Sequence, residues 1–385
     1  MTAEDPGRGQ RNLAIDGLRG VGAVAIMLFH MAPKFAGAPP LEMLAGWFSH
    51  YYILLDVFFM VSGFVLARGH AQRFSKHLTF SQLGAFYFSR AIRIYPLHLI
   101  ALAVMILLEV ELVLQAKIGA LPPDLVPFDR PQHTTDTILT TALLLQSWGF
   151  HDKLTWNVPS WYLSALLFAY LAFPWVMRLM GLASAKARPW TLFGLGAAST
   201  AALHLAYAKG LIYGANDLSI LRALFQVLLG CGIGLLPHLT IPLRLRSSLQ
   251  LAVVALIVGL IHSPAYDYWV VAAFALLLLL IRSDVGAVAR ALSIPPLQFL
   301  GKISFSLFMI HYVVLVIMDS VGSIQSPVTD ALYSPQLLWL NLLLRIPLIV
   351  WLAWLIERYV EEPIGRYLQK WGRPATIAAS RERAG

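Results

Sequence analysis

Apolar runs of about twenty residues recur along this chain, and they limit its fold more than any other feature. A run of that length, coiled as an α-helix, crosses the hydrocarbon core of a bilayer. Ten segments reach or approach it: 13–32, 50–68, 92–115, 161–181, 190–208, 218–237, 248–263, 266–282, 299–320 and 336–357. The pair 248–263 and 266–282 is short and parted only by Ser263-Pro264-Ala265. A further patch, 138–148, reads as an interfacial or re-entrant helix inside a long loop. Composition excludes a water-facing globule: 58% of the 385 residues are apolar and 13% charged, against about 25% charged in soluble proteins. The expected fold class is all-α, a polytopic membrane protein with about ten transmembrane helices.

The net charge of +9 would suit nucleic acid, but its placement points to topology instead. Cationic side chains concentrate on the cytoplasmic side of membrane proteins. With both termini cytoplasmic, 20 of the 29 Lys and Arg fall inside and 5 outside, while Arg19, Arg222, Lys302 and Arg345 lie in or beside spans. Counting 138–148 as a span would spoil this bias. Residues 1–10 then form a cytoplasmic segment, and 369–385 a polar, disordered cytoplasmic tail. No removable signal peptide is expected, so the first span serves as its own insertion signal. The single cysteine, Cys231, permits no disulfide framework and no CxxC site. No ligand spacing links His30, His50, His70 and His311, so no metal is expected.

Ionisable residues inside spans are costly and mark function by default. The first span carries Asp16, Arg19 and His30. At about 100° per residue, Arg19 and His30 come within about 20° of one helix face, roughly 16 Å apart along the axis, and Asp16 lies about 40° to the other side of His30. A helix facing lipid would not carry this stripe. An ion pair between Asp16 and Arg19 at the membrane edge, and a satisfied core histidine at position 30, would explain the same residues without chemistry. In the second span Asp56 needs a partner, with His30 or an arginine as candidates. Ser62-Gly63 beside it would also allow close helix packing. Arg90 and Arg93 share a face at the cytoplasmic boundary, where guanidinium groups suit bidentate phosphate contact. Lys302, Ser304, Ser306 and His311 interrupt the ninth span, and Glu109 and Glu111 of the third span could pair with Arg345 of the tenth. In the long loop 116–160 and at its junction with the next span, Trp148, Trp156 and Trp161 could stack on a sugar or mark the interface.

Six segments, taken in order, resemble the membrane-bound acyltransferase-3 family over residues 11–368. Arg11-Asn12-Leu13-Ala14-Ile15-Asp16-Gly17-Leu18-Arg19-Gly20, with His30 eleven residues after Arg19, is similar to that family's opening. Asp56-Val57-Phe58-Phe59-Met60-Val61-Ser62-Gly63-Phe64 resembles its second-span signature, and Arg90-Ala91-Ile92-Arg93 its RxxR motif. Asn157-Val158-Pro159-Ser160-Trp161-Tyr162-Leu163-Ser164, then Leu300 to His311, and finally Glu361-Glu362-Pro363 complete the set. One departure is Leu166, where many members carry glutamate.

The resemblance implies a single transmembrane module, without an extra esterase-like domain, in the inner cell membrane. It implies transfer of an acyl group, commonly acetyl, from acyl-CoA as co-substrate to a hydroxyl of a carbohydrate, glycan or glycosylated natural product. On this reading His30 is the general base or carries the acyl group covalently, and Asp56 fixes its tautomer. Arg19, Arg90, Arg93 and Asp16 hold acyl-CoA, whose pantetheine arm lies along the first span. Ser62, Trp161, Ser164 and His311 serve the acceptor or the polar framework. The partners expected are acyl-CoA, the acceptor and the lipid bilayer, with no nucleic acid and no permanently bound cofactor. The competing class is a multi-span transporter of a small anionic or sugar-like solute. Paired broken spans and internal repeats, which would mark such a carrier, are absent from the sequence.

Overall fold

A helix leaves its first backbone N–H groups open, and side chains that accept them mark where helices start. The Asn12 side chain takes the Ile15 N–H at 2.9 Å to open α1 (Leu13–Phe35). Thr79 likewise takes the Gln82 N–H at 3.3 Å to open α4 (Phe80–Lys117). The computed structural model describes residues 11–36, 38, 41–119, 125–209, 218–263, 265, 267–322, 331–334 and 336–371. Its other helices are α2 (Glu42–Phe48), α3 (Leu54–Lys76), α5 (Ile138–Ala142), α6 (Trp161–Met180), α7 (Arg188–Ala208) and α8 (Ser219–Leu235). Then follow α9 (Leu243–Leu260), α10 (Asp267–Ile281), α11 (Ala287–Leu292), α12 (Pro295–Gly322), α13 (Leu338–Ile356), a π-helical turn Glu357–Glu361, and α14 (Glu362–Trp371).

Each of the ten apolar segments falls on one of α1, α3, α4, α6, α7, α8, α9, α10, α12 and α13. Among the described residues, seven candidate spans are long and apolar enough to cross a membrane: α1, α2 with α3, α4, α6 with its leading turn, α9, α12, and α13 with its extension. The 15 residues of α10 reach only about 22 Å, short of a hydrocarbon core of about 30 Å. Residues 369–371, expected in the tail, instead continue α14. Residues 1–10 and the tail from 372 lie outside the described residues, as does Pro264 of the expected turn.

The helices sort into an inner and an outer set. In the most apolar stretches of α3 and α12, 67% of residues are buried, against 22% in α9 and 28% in α13. The outer set exposes bulky apolar side chains such as Leu251, Leu256, Leu344 and Trp351, the surface expected to meet lipid. Close approach within the inner set depends on absent side chains. A Cβ on Gly63 of α3 would stand 2.0 Å from the Val227 carbonyl oxygen of α8, and one on Gly230 of α8 would stand 1.9 Å from that of Met60. Gly20 of α1 and Gly301 of α12 meet in the same way.

The loop after α4 folds back over one end of the bundle. Its two short strands, Asp129–Arg130 and His133–Thr134, pair antiparallel. The buried Glu109 carboxylate, from the C-terminal half of α4, gathers them: it accepts the Phe128 N–H at 3.0 Å, pairs with Arg130, and meets His133 Nδ1 at 2.6 Å. The expected pairing of Glu109 with Arg345 is therefore not formed. Arg345 instead binds Asp319 at 2.9 Å, from the neighbouring α12. Trp156 is fully buried and stacks on His133, so it neither marks an interface nor offers a sugar platform.

Gly63→Val and Gly230→Val should force α3 and α8 apart, since an overpacked contact against rigid backbone costs about 1–3 kcal/mol or more. Thermal unfolding in detergent should show a clear fall for both. Gly259→Ala, whose added Cβ meets nothing within 4 Å, should leave the midpoint in place.

Candidate active site

The polar stripe of α1 opens into two separate cavities. One, of about 530 Å³, is lined by Asp16, Arg19, Ser62, Arg90, Arg93 and Leu166 among others. The other, of about 960 Å³, lies toward the C-terminal end of α1 and is lined by His30, Tyr52, Trp161, Arg222, Asp267 and Tyr312 among others. Helices α1 and α12 run side by side through both regions, held together at Gly20 and Gly301. That contact sets Ser304 against Arg19 (3.1 Å) at one end and His311 against His30 (3.1 Å) at the other.

The smaller cavity is cationic. Arg19 has Asp16 at 3.6 Å, but the Asp16 carboxylate is shared with Arg11 at 2.5 Å. The Arg90 guanidinium lies over the rings of Phe86 and Tyr170, and that of Arg93 over Phe305, at 5.6 to 5.9 Å. Among the described residues neither Arg90 nor Arg93 has a carboxylate within ion-pair distance. Leu166, where a glutamate was expected by resemblance, lines this cavity and brings no negative charge. Five guanidinium groups line this cavity, those of Arg11, Arg19, Arg68, Arg90 and Arg93, with Asp16 as the one lining carboxylate, a lining suited to an anion through the planar donors that phosphates favour.

In the larger cavity the hydrogen bonds set the histidine tautomers. A carbonyl oxygen only accepts, so Nδ1 of His30 carries the proton it directs at Ile26 O (3.0 Å), and Nδ1 of His311 the one it directs at Leu307 O (3.1 Å). Nε2 of the fully buried His311 then accepts from the same His30 Nδ1–H. The remaining nitrogen of His30, Nε2, is left as its basic atom on a residue that lines the cavity. A neutral imidazole in this state can take a proton from a hydroxyl.

Asp56 stands elsewhere. Its carboxylate is fully buried and holds Arg222 through two bonds, Nε to Oδ1 at 2.8 Å and Nη2 to Oδ2 at 2.5 Å. The expectation that Asp56 fixes the His30 tautomer is not met; the Ile26 carbonyl and His311 do that. The cause is the glycine contact between α3 and α8, which brings Arg222 alongside Asp56 about two turns before Gly63. Ser164 lines neither cavity: its hydroxyl donates to Leu144 O at 2.8 Å and accepts the Ser147 N–H at 3.1 Å, clamping the loop onto α6. Ser62 and Trp161 each line a cavity, one at either end.

The sequence left two groups without a role. Arg222 stood at the edge of a span with no partner, and its isolation as an intramembrane charge was the available signal. Asp267 accepts the Tyr52 hydroxyl at 2.5 Å, and both line the His30 cavity; nothing in their spacing, 215 residues apart, announced the pair. Removing one partner of a buried ion pair leaves the other uncompensated, at about 3–5 kcal/mol. Asp56→Ala and Arg222→Leu should each lower stability by about that much in chemical denaturation, and Asp56→Ala/Arg222→Leu together by less than the sum. Additive losses in that cycle would show that the two side chains do not act as a pair.

Similarity to known proteins bears on the same residues. A family model described as an acyltransferase domain matches residues 12–358. Acyltransferase MdmB of Streptomyces mycarofaciens is 29% identical over 197 residues, covering 50% of this chain and 46% of that protein. Protein 2 in the picA locus of Rhizobium radiobacter is 35% identical over 96 residues, covering 25% of this chain and 44% of that protein. The chain thus spans just under half the length of these curated relatives. No solved structure matches it. The family match covers both cavities and the helices that frame them, and on that ground the chain belongs to the acyltransferase-3 family.

Proposed function

We propose that this protein moves an acyl group, most simply acetyl, from acyl-CoA to a hydroxyl of a carbohydrate, glycan or glycosylated natural product. The observation that carries the reading is that one helix presents Arg19 to a cationic cavity and His30 to a second, larger one. Acyl-CoA is polyanionic at its nucleotide end, and Arg19, Arg90 and Arg93 suit its phosphates, with Asp16 holding Arg19. The excess of Lys and Arg on one side favours ten spans in an inner cell membrane, both ends cytoplasmic and the arginine cavity facing the cytoplasm.

The acceptor enters the His30 cavity with its hydroxyl at His30 Nε2. As the oxygen bonds to the thioester carbonyl carbon, Nε2 takes the hydroxyl proton; the C–S bond breaks, and the departing thiolate receives that proton. His311 and the Ile26 carbonyl keep Nδ1–H in place throughout. Asp267 with Tyr52, and the Trp161 ring, line the same cavity and in this reading receive the other hydroxyls and a sugar face.

Purified protein with acetyl-CoA and candidate acceptors, followed by free-thiol release, tests the reading. His30→Ala should cut turnover by about 10²–10⁴-fold and leave acetyl-CoA binding intact. Arg93→Ala should raise KM for acetyl-CoA at least tenfold with a smaller change in kcat, and the difference should shrink in high salt as screening grows. Full activity in His30→Ala would remove the base from this mechanism. Movement of a solute across vesicles without thiol release would favour a carrier instead.

A further inference from the structure

Between the two cavities the stripe on α1 is interrupted. Arg19 and His30 are about 16 Å apart along the helix, and Gly22 lies between them. A Cβ at Gly22 would stand 2.6 Å from the edge of the Phe58 ring, so the ring of an α3 residue fills the notch that this glycine leaves in α1. Phe58 in turn meets Tyr162 of α6 and Phe308 of α12, each with ring centroids 6.2 Å away, and Tyr162 and Phe308 are 5.3 Å apart. Phe308 is 3% exposed and Tyr162 6%. Of the residues that line the two cavities, Phe308 alone lines both.

A straight path for a pantetheine arm along α1, from the arginines to His30, is therefore closed by three rings from three helices. The arrangement differs from ordinary core packing in having a cavity on each side. In the same cluster, His311 lies one turn further along α12 with its ring 6.0 Å from that of Phe308, so the barrier abuts the His30 pair.

We infer that Phe308, with Phe58 and Tyr162, forms the partition through which the acyl end of the donor passes to reach His30, and that the Phe308 ring limits the length of the chain transferred. The inference rests on the acyl-CoA reading above for the identity of the donor. The partition itself does not need that reading.

Two measurements test it. First, thiol release is compared for hexanoyl-CoA and acetyl-CoA within each variant, a ratio that does not depend on the fraction of folded protein. The hexanoyl-to-acetyl ratio of kcat/KM should rise at least tenfold in Phe308→Ala, and in Phe308→Leu should the alanine variant fold poorly. Phe308→Trp should lower acetyl turnover at least tenfold while acetyl-CoA still binds. An unchanged ratio and unimpaired Phe308→Trp would overturn the inference even if acyl-CoA is the donor.

Second, His30→Cys in a Cys231→Ala background is labelled with a charged thiosulfonate applied from the arginine side of sealed vesicles. Labelling should accelerate at least tenfold when Phe308→Ala is added. Equal rates would show that the rings bar nothing, and would overturn the inference. Faster labelling in a protein that neither binds nor turns over acyl-CoA would keep the partition and dismiss the donor.

Discussion

A guanidinium or carboxylate buried among helices in hydrocarbon must find a countercharge, a set of carbonyls or a polar cavity, and the rest of this structure is arranged around that demand. Arg222 finds Asp56, and Arg345 finds Asp319 with Asn341. Arg282 is held by the carbonyls of Ile233 and Leu236 at 2.6 and 2.7 Å, at the end of α8. Arg246 reaches Leu239 O and Ser283 Oγ. Each of these cations is neutralised or solvated by the protein itself. Arg90 and Arg93 are the contrast: they stack on rings and line a cavity, with no carboxylate at ion-pair distance among the described residues.

The same demand explains why α1 sits against α12. A helix with Asp16, Arg19 and His30 on one face cannot turn that face to lipid, and glycines at 20 and 301 let the partner backbone come close enough to serve it. Ser304 and His311 follow from that contact, one for each end. The aromatic side chains between the ends then keep the basic imidazole apart from the arginines. On the function proposed above, acid–base chemistry and polyanion binding would occupy one helix without sharing one space.

Much of this was legible before any coordinates. Apolar run length located the helices, and helical periodicity put Arg19 and His30 on one face, because both depend only on neighbours along the chain. Arg90 and Arg93 were legible as an i,i+3 pair for the same reason. The pairing of Asp56 with Arg222, 166 residues away, and of Glu109 with Arg130 and His133 rather than Arg345, was not. An unpaired charge in a span announces that it has a partner without saying which.

The amino-acid sequence by itself determined an all-helical membrane protein of the acyltransferase-3 pattern, with a polar stripe on its first span. Periodicity and run length are local quantities, and burial cost acts on each residue wherever it is packed. Only the tertiary structure decided that His311, not Asp56, meets His30, that Ser164 clamps a loop, and that Phe58, Tyr162 and Phe308 divide the stripe into two cavities. Those outcomes depend on which helix backbones come within reach of one another, and that is set by glycine contacts between segments far apart in the chain.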